Sequence, residues 1–193
     1  MAKTDITGIV LAGGKSRRMG RDKALMVYQD KPLIQHAVDT LRQVCNKVVI
    51  SSNKNDYYFT GCEVWPDEID IHAPMIGIYS CLKRSPDEVN LVLSCDMPLT
   101  GIAILKYLLA KHNAYEIVVP RYNNEFIEPL CALYKRSVIP VMERFIKDRN
   151  YSMQEFIRAS SHLMLEVIPK LDFYRDNMFT NINNPGDYGW LIG

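Results

Sequence analysis

A chain of 193 residues, 48% hydrophobic and 23% charged, has the balance of a globular protein with a real core rather than of a disordered one, and one compact domain spanning 1–193 is the simplest reading. A formal net charge of +1 excludes a global attraction to nucleic acid or to anionic membrane, so any basic function is local. The five cysteines, Cys45, Cys62, Cys81, Cys95 and Cys131, are odd in number and contain no C-x-x-C pair, which favours buried reduced thiols over a disulfide framework or a zinc site.

The first apolar run, Ile6 to Leu11, is too short for a signal peptide or a membrane span, and a cytoplasmic protein is expected. Its length and β-branched content predict a buried strand. It runs into Leu11-Ala12-Gly13-Gly14-Lys15-Ser16-Arg17-Arg18-Met19-Gly20-Arg21-Asp22-Lys23, where adjacent glycines let backbone amides approach a ligand and five basic residues concentrate positive charge. That combination calls for an anion, best a polyphosphate.

Further along, Ala24 to Tyr28 is a short apolar segment closed by a polar turn at Gln29-Asp30-Lys31. Pro32 starts a helix whose Leu33, Ile34, Ala37, Val38 and Leu41 fall at helical spacing. Strands are predicted at Lys47–Ser51 and Glu63–Trp65, a helix from Met75 to Lys83 after Pro74, and a central strand at Leu91–Ser94 that delivers Cys95-Asp96-Met97-Pro98. A helix over Thr100–Lys111 and a strand over Glu116–Val119, ended by Pro120, follow. The segment Pro129–Tyr134 is extended, and helices are predicted over Val138–Lys147, from Ser152 by a capping box, and near Asp187–Leu191. Leu163–Ile168 alternates weakly and reads as a strand.

Strands alternating with helices predict an α/β fold with a mainly parallel sheet and right-handed crossovers. In such a sheet ligands gather at the C-terminal strand ends. Four loops are expected to meet there: the glycine-rich segment, Ser52-Asn53, Pro66-Asp67 and Cys95-Asp96.

Two common phosphate motifs fail. A P-loop requires a glycine five residues before Gly14, where Ile9 stands, and a dinucleotide fingerprint requires G-x-G-x-x-G, whereas Gly13 and Gly14 are adjacent and Gly20 is too distant. The segment instead matches the signature L-A-G-G-x-S-x-R-M-G-x-D-K and resembles the molybdenum cofactor guanylyltransferase family. The resemblance continues through Lys31–His36, V-V-I-S-S-N ending at Asn53, Asp67, A-P-M-I-G at Ala73–Gly77, C-D-M-P at Cys95–Pro98, E-P-L-C-A-L-Y at Glu128–Tyr134, and N-I-N-N-P near the end.

The resemblance implies a single-domain, three-layer Rossmann-like nucleotidyltransferase fold. It implies a reaction in which the terminal phosphate of molybdopterin, with or without molybdenum, attacks the α-phosphorus of GTP and releases pyrophosphate. Lys23, Arg18 and Asp96 would carry the transfer. Leu11, Ala12, Gly13, Gly14, Lys23, Asn53, Asp67 and Asp96 would bind the nucleotide, with Mg²⁺ on Asp96. Glu128, Asn181 and Asn183 would lie on the acceptor side. Transient contacts with proteins that deliver molybdopterin or receive the product are also implied.

The residue types suit that chemistry. Amides around Ala12–Gly14 can hold phosphate oxygens, cationic Lys23 and Arg18 offset triphosphate charge, and a strand-end carboxylate is a hard ligand. An attacking phosphate oxygen is already ionised, so no general base is required, and His36, His72, His112 and His162 show no metal spacing. Asp22 orients either Lys23 or its loop. Tyr57-Tyr58-Phe59 is expected to pack in the core or a loop rather than to stack on a base. The Gly13-Gly14 pair resembles the guanylyl branch, where cytidylyl relatives look like L-A-A-G. Ala73 departs from a usual glycine, which would alter the loop if that backbone needed positive φ. A cytidylyl- or sugar-phosphate nucleotidyltransferase of the same fold and a non-catalytic nucleotide sensor are the competing readings.

Overall fold

A computed structural model describes residues 5–13, 22–123 and 125–192. Its strands are β1 (Ile6–Leu11), β2 (Val27–Tyr28), β3 (Lys31–Pro32), β4 (Lys47–Ser51), β5 (Glu63–Trp65), β6 (Val89–Ser94), β7 (Ile117–Tyr122), β8 (Phe126–Ile127), β9 (Cys131–Lys135) and β10 (His162–Glu166). The helices are α1 (Leu33–Arg42), α2 (Pro74–Arg84), α3 (Ile102–Leu109), α4 (Ile139–Lys147), α5 (Met153–Arg158) and α6 (Pro185–Ile192).

The main sheet has the order β10-β7-β9-β6-β1-β4-β5, with β8 attached to β7. Every pairing along that order is parallel except those of β9, which runs antiparallel to both β6 and β7. The expected mainly parallel α/β sheet is therefore present.

β1 is buried at all six positions because both its faces are covered. Ile6 and Val10 face a core that includes Ala37, Val38 and Leu41 of α1 and Leu105 and Leu108 of α3; Ile9 and Leu11 face Ile78 and Leu82 of α2 and Met142 of α4. The alternation in β1 thus divides the molecule into three layers. α1 lies close against the sheet because Gly8 has no side chain: a Cβ there would stand 3.0 Å from Cys45 Sγ and 3.1 Å from Leu41 Cβ. Shortening a fully buried aliphatic such as Ile9 to alanine costs about 2–5 kcal/mol.

β4 and β5 have the predicted bounds, and α1 buries the five predicted residues. α2 is more deeply buried than its spacing suggests, with every residue from Met75 to Leu82 inside. One prediction is corrected and another is sharpened. The strand expected to end before Pro120 continues to Tyr122: β7 leaves its ladder with β9 after Val118 and takes up β8 at Arg121, so Pro120 sits where no amide is needed on that side. The turn at Gln29-Asp30 closes a small β2–β3 hairpin, with both residues at positive φ (46° and 62°), as a two-residue hairpin turn requires.

None of the five cysteines is in a disulfide, and four of them are buried. Among the described residues no helix is long and apolar enough to cross a membrane.

Candidate active site

Four strands end in step. Leu11 is level with Ser51 of β4 on one side and Ser94 of β6 on the other, and Ser51 is level with Trp65 of β5. Backbone bonds carry this registry one residue further: Ala12 N donates to Ser51 O, Cys95 N to Leu11 O, and Ser52 N to Trp65 O, each at 3.1 Å. The four expected loops consequently open onto one cleft of about 500 Å³. Leu11, Ala12, Gly13, Lys23, Asn53, Asp67 and Asp96 all line it. Gly14 and Arg18 lie outside the described residues.

Lys23 and Asp96 meet at the cleft. Lys23 Nζ donates to Asp96 Oδ2, and Ser94 Oγ donates to Oδ1 of the same carboxylate. Asp96 is buried, and its backbone carbonyl accepts from Ile182 N at 2.9 Å, which brings the C-terminal segment against it. Lys23 opens a 3₁₀ turn (Lys23–Leu25) capped by Asp22, whose Oδ1 accepts from Ala24 N at 3.1 Å. The other Asp22 oxygen accepts from Lys54 Nζ at 2.8 Å and Tyr57 OH at 2.9 Å. Asp22 therefore holds the turn that carries Lys23. Tyr57 packs in the core as expected, whereas Tyr58 is 85% exposed.

At the other end of the cleft Asn53 and Asp67 form a mutual pair. Asp67 N donates to Asn53 Oδ1 at 2.8 Å, and Asn53 Nδ2 donates to Asp67 Oδ2 at 3.3 Å. Burial raises the Asp67 carboxyl above its ordinary value, opposed by the Asn53 hydrogen bond and by His72. Gly77 faces the same space: a Cβ there would lie 2.6 Å from Ser51 Oγ and 3.5 Å from Asp67 Oδ1. Gly13, by contrast, has no described residue within 4 Å of its would-be Cβ. Ala73 caps α2 at φ −146°, an extended conformation open to any residue, so its replacement of glycine imposes no strain.

The residues expected on the acceptor side divide. Glu128 is buried; its Oε1 accepts from Leu130 N at 3.2 Å. Burial pushes its carboxyl up to about 7, opposed by that amide, reinforced by the charge of Asp96 and opposed again by a hydrogen bond from Asn181. Glu128 thus feels both Asp96 and Asn181. Asn183 is exposed, and its amide donates to Asp187 Oδ2 at 2.8 Å, helping to cap α6. None of Glu128, Asn181 or Asn183 is among the residues lining the cleft.

The Asp96 carboxylate in the cleft is a hard oxygen donor of the kind a divalent cation takes. Among the described residues no three His, Cys, Asp or Glu side chains are grouped to hold a metal unaided. A divalent cation held by one or two carboxylates would complete its shell with water and substrate phosphates. Sequence reasoning missed Lys54 and Tyr57 as parts of the site. Lys54 was within reach, since it directly follows the V-V-I-S-S-N segment.

A lysine paired with a strand-end carboxylate, in one cleft with a strand-end glycine and the Asn53–Asp67 pair, fits a nucleotidyltransferase. Residues 8–163 match the model of the MobA-like NTP transferase domain, and the chain belongs to that family. A probable molybdenum cofactor guanylyltransferase from Pyrococcus horikoshii is 36% identical over 186 residues, covering 92% of this chain and 94% of the relative. The crystal structure of molybdopterin-guanine dinucleotide biosynthesis protein A from Archaeoglobus fulgidus superposes with a TM-score of 0.81 at 22% identity, covering 96% of each chain. A manganese complex of Rv0371C from Mycobacterium tuberculosis H37Rv superposes with a TM-score of 0.65 at 20% identity, covering 98% of each chain.

Proposed function

We propose that this nucleotidyltransferase moves GMP from GTP to the terminal phosphate of molybdopterin, with or without molybdenum, releasing pyrophosphate. The observation that carries the reading is the Lys23–Asp96 pair, lining one cleft with Gly13 at the end of β1 and with the Asn53–Asp67 pair beyond it.

On this reading the Ala12–Gly13 backbone and Lys23 take the triphosphate, so that the cation offsets charge developing on the leaving pyrophosphate. Arg18 is assigned the same task. The Asn53–Asp67 pair faces the nucleoside, where the Asp67 carboxylate accepts from guanine N–H groups or from a ribose hydroxyl. Mg²⁺, held by Asp96, would neutralise phosphate charge when bound. The acceptor phosphate arrives ionised, so the protein's contribution is positioning and charge neutralisation rather than proton abstraction. Glu128, Asn181 and Asn183 are assigned to the acceptor side. Residues 1–193 act as one domain, and five cysteines outside any disulfide suit a reducing cytoplasm.

Calorimetry with GTP, CTP, UTP and ATP tests the choice of base. A GTP preference above about tenfold, roughly 1.4 kcal/mol, is expected; a smaller one would favour another nucleotidyltransferase of the same fold.

A further inference from the structure

Between the phosphate end and the nucleoside end of the cleft lies a contact that neither end requires. Asp22 precedes Lys23 and caps its turn, yet its second oxygen is taken by two groups from the β4–β5 connection, Lys54 and Tyr57. Lys54 reaches it from the solvent side, with 44% of its side chain exposed, while the Asp22 side chain is 13% exposed. Tyr57 reaches it from the core, with its ring fully buried. Burial and the Asp22 carboxylate both hold the Tyr57 hydroxyl in its protonated form, so it remains a donor. Lys54 is also tied to the nucleoside end, through its amide to Ser52 Oγ at 3.1 Å and by its place next to Asn53.

We propose that Tyr57 and Lys54 are positioning residues for transfer: by clasping Asp22 from the core and solvent sides, they hold the Lys23 turn in place, so that Lys23 stands at Asp96 in register with a nucleotide anchored at Asn53 and Asp67. Neither residue needs to touch the reacting atoms. A three-residue 3₁₀ turn has little rigidity of its own, and the clasp supplies what the turn lacks. The same contacts make the Lys23 turn and the β4 loop move as one body.

The inference rests on the proposed transfer only for its kinetic consequence, and its test therefore has one arm without substrate. In the first arm, wild-type protein, Tyr57→Phe and Lys54→Met are briefly treated with acetic anhydride, and acetylation of Lys23 is followed by mass spectrometry against Lys106 on the exposed face of α3. Lys23 is expected to react several times faster in both variants, with Lys106 unchanged. Equal Lys23 reactivity in wild type and variants overturns the clasp.

In the second arm, Tyr57→Phe is expected to lower kcat about tenfold or more with KM for GTP nearly unchanged, since misplacement of a catalytic cation acts on the transition state. Placed on a Lys23→Ala background, Tyr57→Phe is expected to change kcat no further. An equal loss on both backgrounds overturns the route through Lys23. Lys54→Met, altered at a part-exposed site, keeps both arms decisive if Tyr57→Phe folds poorly. Wild-type protein that fails to turn over GTP counts against the proposed transfer and leaves the acetylation result to judge the clasp.

Discussion

Lys23 and Asp96 are 73 residues apart in the chain and share a hydrogen bond at the place where β1 and β6 end side by side. The parallel pairing of those strands puts the glycine-rich loop and the C-D-M-P loop on the same edge. A cation and a carboxylate from distant motifs therefore arrive together.

Replacing Asp96 with alanine removes an acceptor from both Lys23 and Ser94. Turnover is expected to fall by about 10²–10³ or more, the loss typical of a charge-stabilising group. The fold should persist, because Asp96 follows β6 rather than forming part of its ladder. Pyrophosphate release and a circular dichroism melt check both statements. Normal Mg²⁺-dependent turnover would remove Asp96 from the site.

Lys23→Ala is expected to weaken GTP binding and to slow transfer. A charge-assisted hydrogen bond contributes about 1.5–3 kcal/mol, roughly ten- to a hundredfold in affinity. Calorimetry and single-turnover kinetics separate the two effects. Unchanged values in both would make Lys23 a structural residue.

Gly77→Ala places a Cβ 2.6 Å from Ser51 Oγ in the wall of the cleft. The expected cost is about 1–3 kcal/mol in urea denaturation, the range for overpacking. Combining it with Ser51→Ala removes the clashing oxygen and should recover much of the loss. Additive losses in the double variant would show that the crowding lies elsewhere.

Glu128 carries a pH signature. Burial raises its carboxyl from the ordinary 4.5 to about 7, so between those values the native protein keeps a proton that the unfolded chain has released. The unfolded state then binds fewer protons, and stability falls as pH rises through that window. Urea midpoints of the metal-free protein at pH 5 and pH 8 should show this decline, and Glu128→Gln should flatten it. A decline of the same size in the variant would assign it to another group.

Much of this site was legible in the sequence, for a physical reason. Short buried strands of a parallel sheet are continuous apolar runs that end where the ligand loops begin, so Ile6–Leu11, Lys47–Ser51 and Glu63–Trp65 could be bounded directly, and their loops placed at one edge. The contacts of Asp22 were not legible, because Lys54 and Tyr57 lie 32 and 35 residues further on and only the pairing of β1 with β4 brings them close. The influence of Asp96 on Glu128 was hidden for a similar reason. It depends on β9 entering antiparallel between β6 and β7, which no local period announces. Pro120 misled because proline ends most strands, whereas here it occupies the exchange of one partner strand for another.

Guanylyl transfer to a phosphate acceptor is the reaction assigned to the cleft. Its most direct test is to mix the protein with GTP, Mg²⁺ and molybdopterin, and to follow pyrophosphate together with the mass of the pterin product. One pyrophosphate is expected for each molybdopterin that gains a GMP unit. GTP that binds in the cleft without either product forming would contradict it.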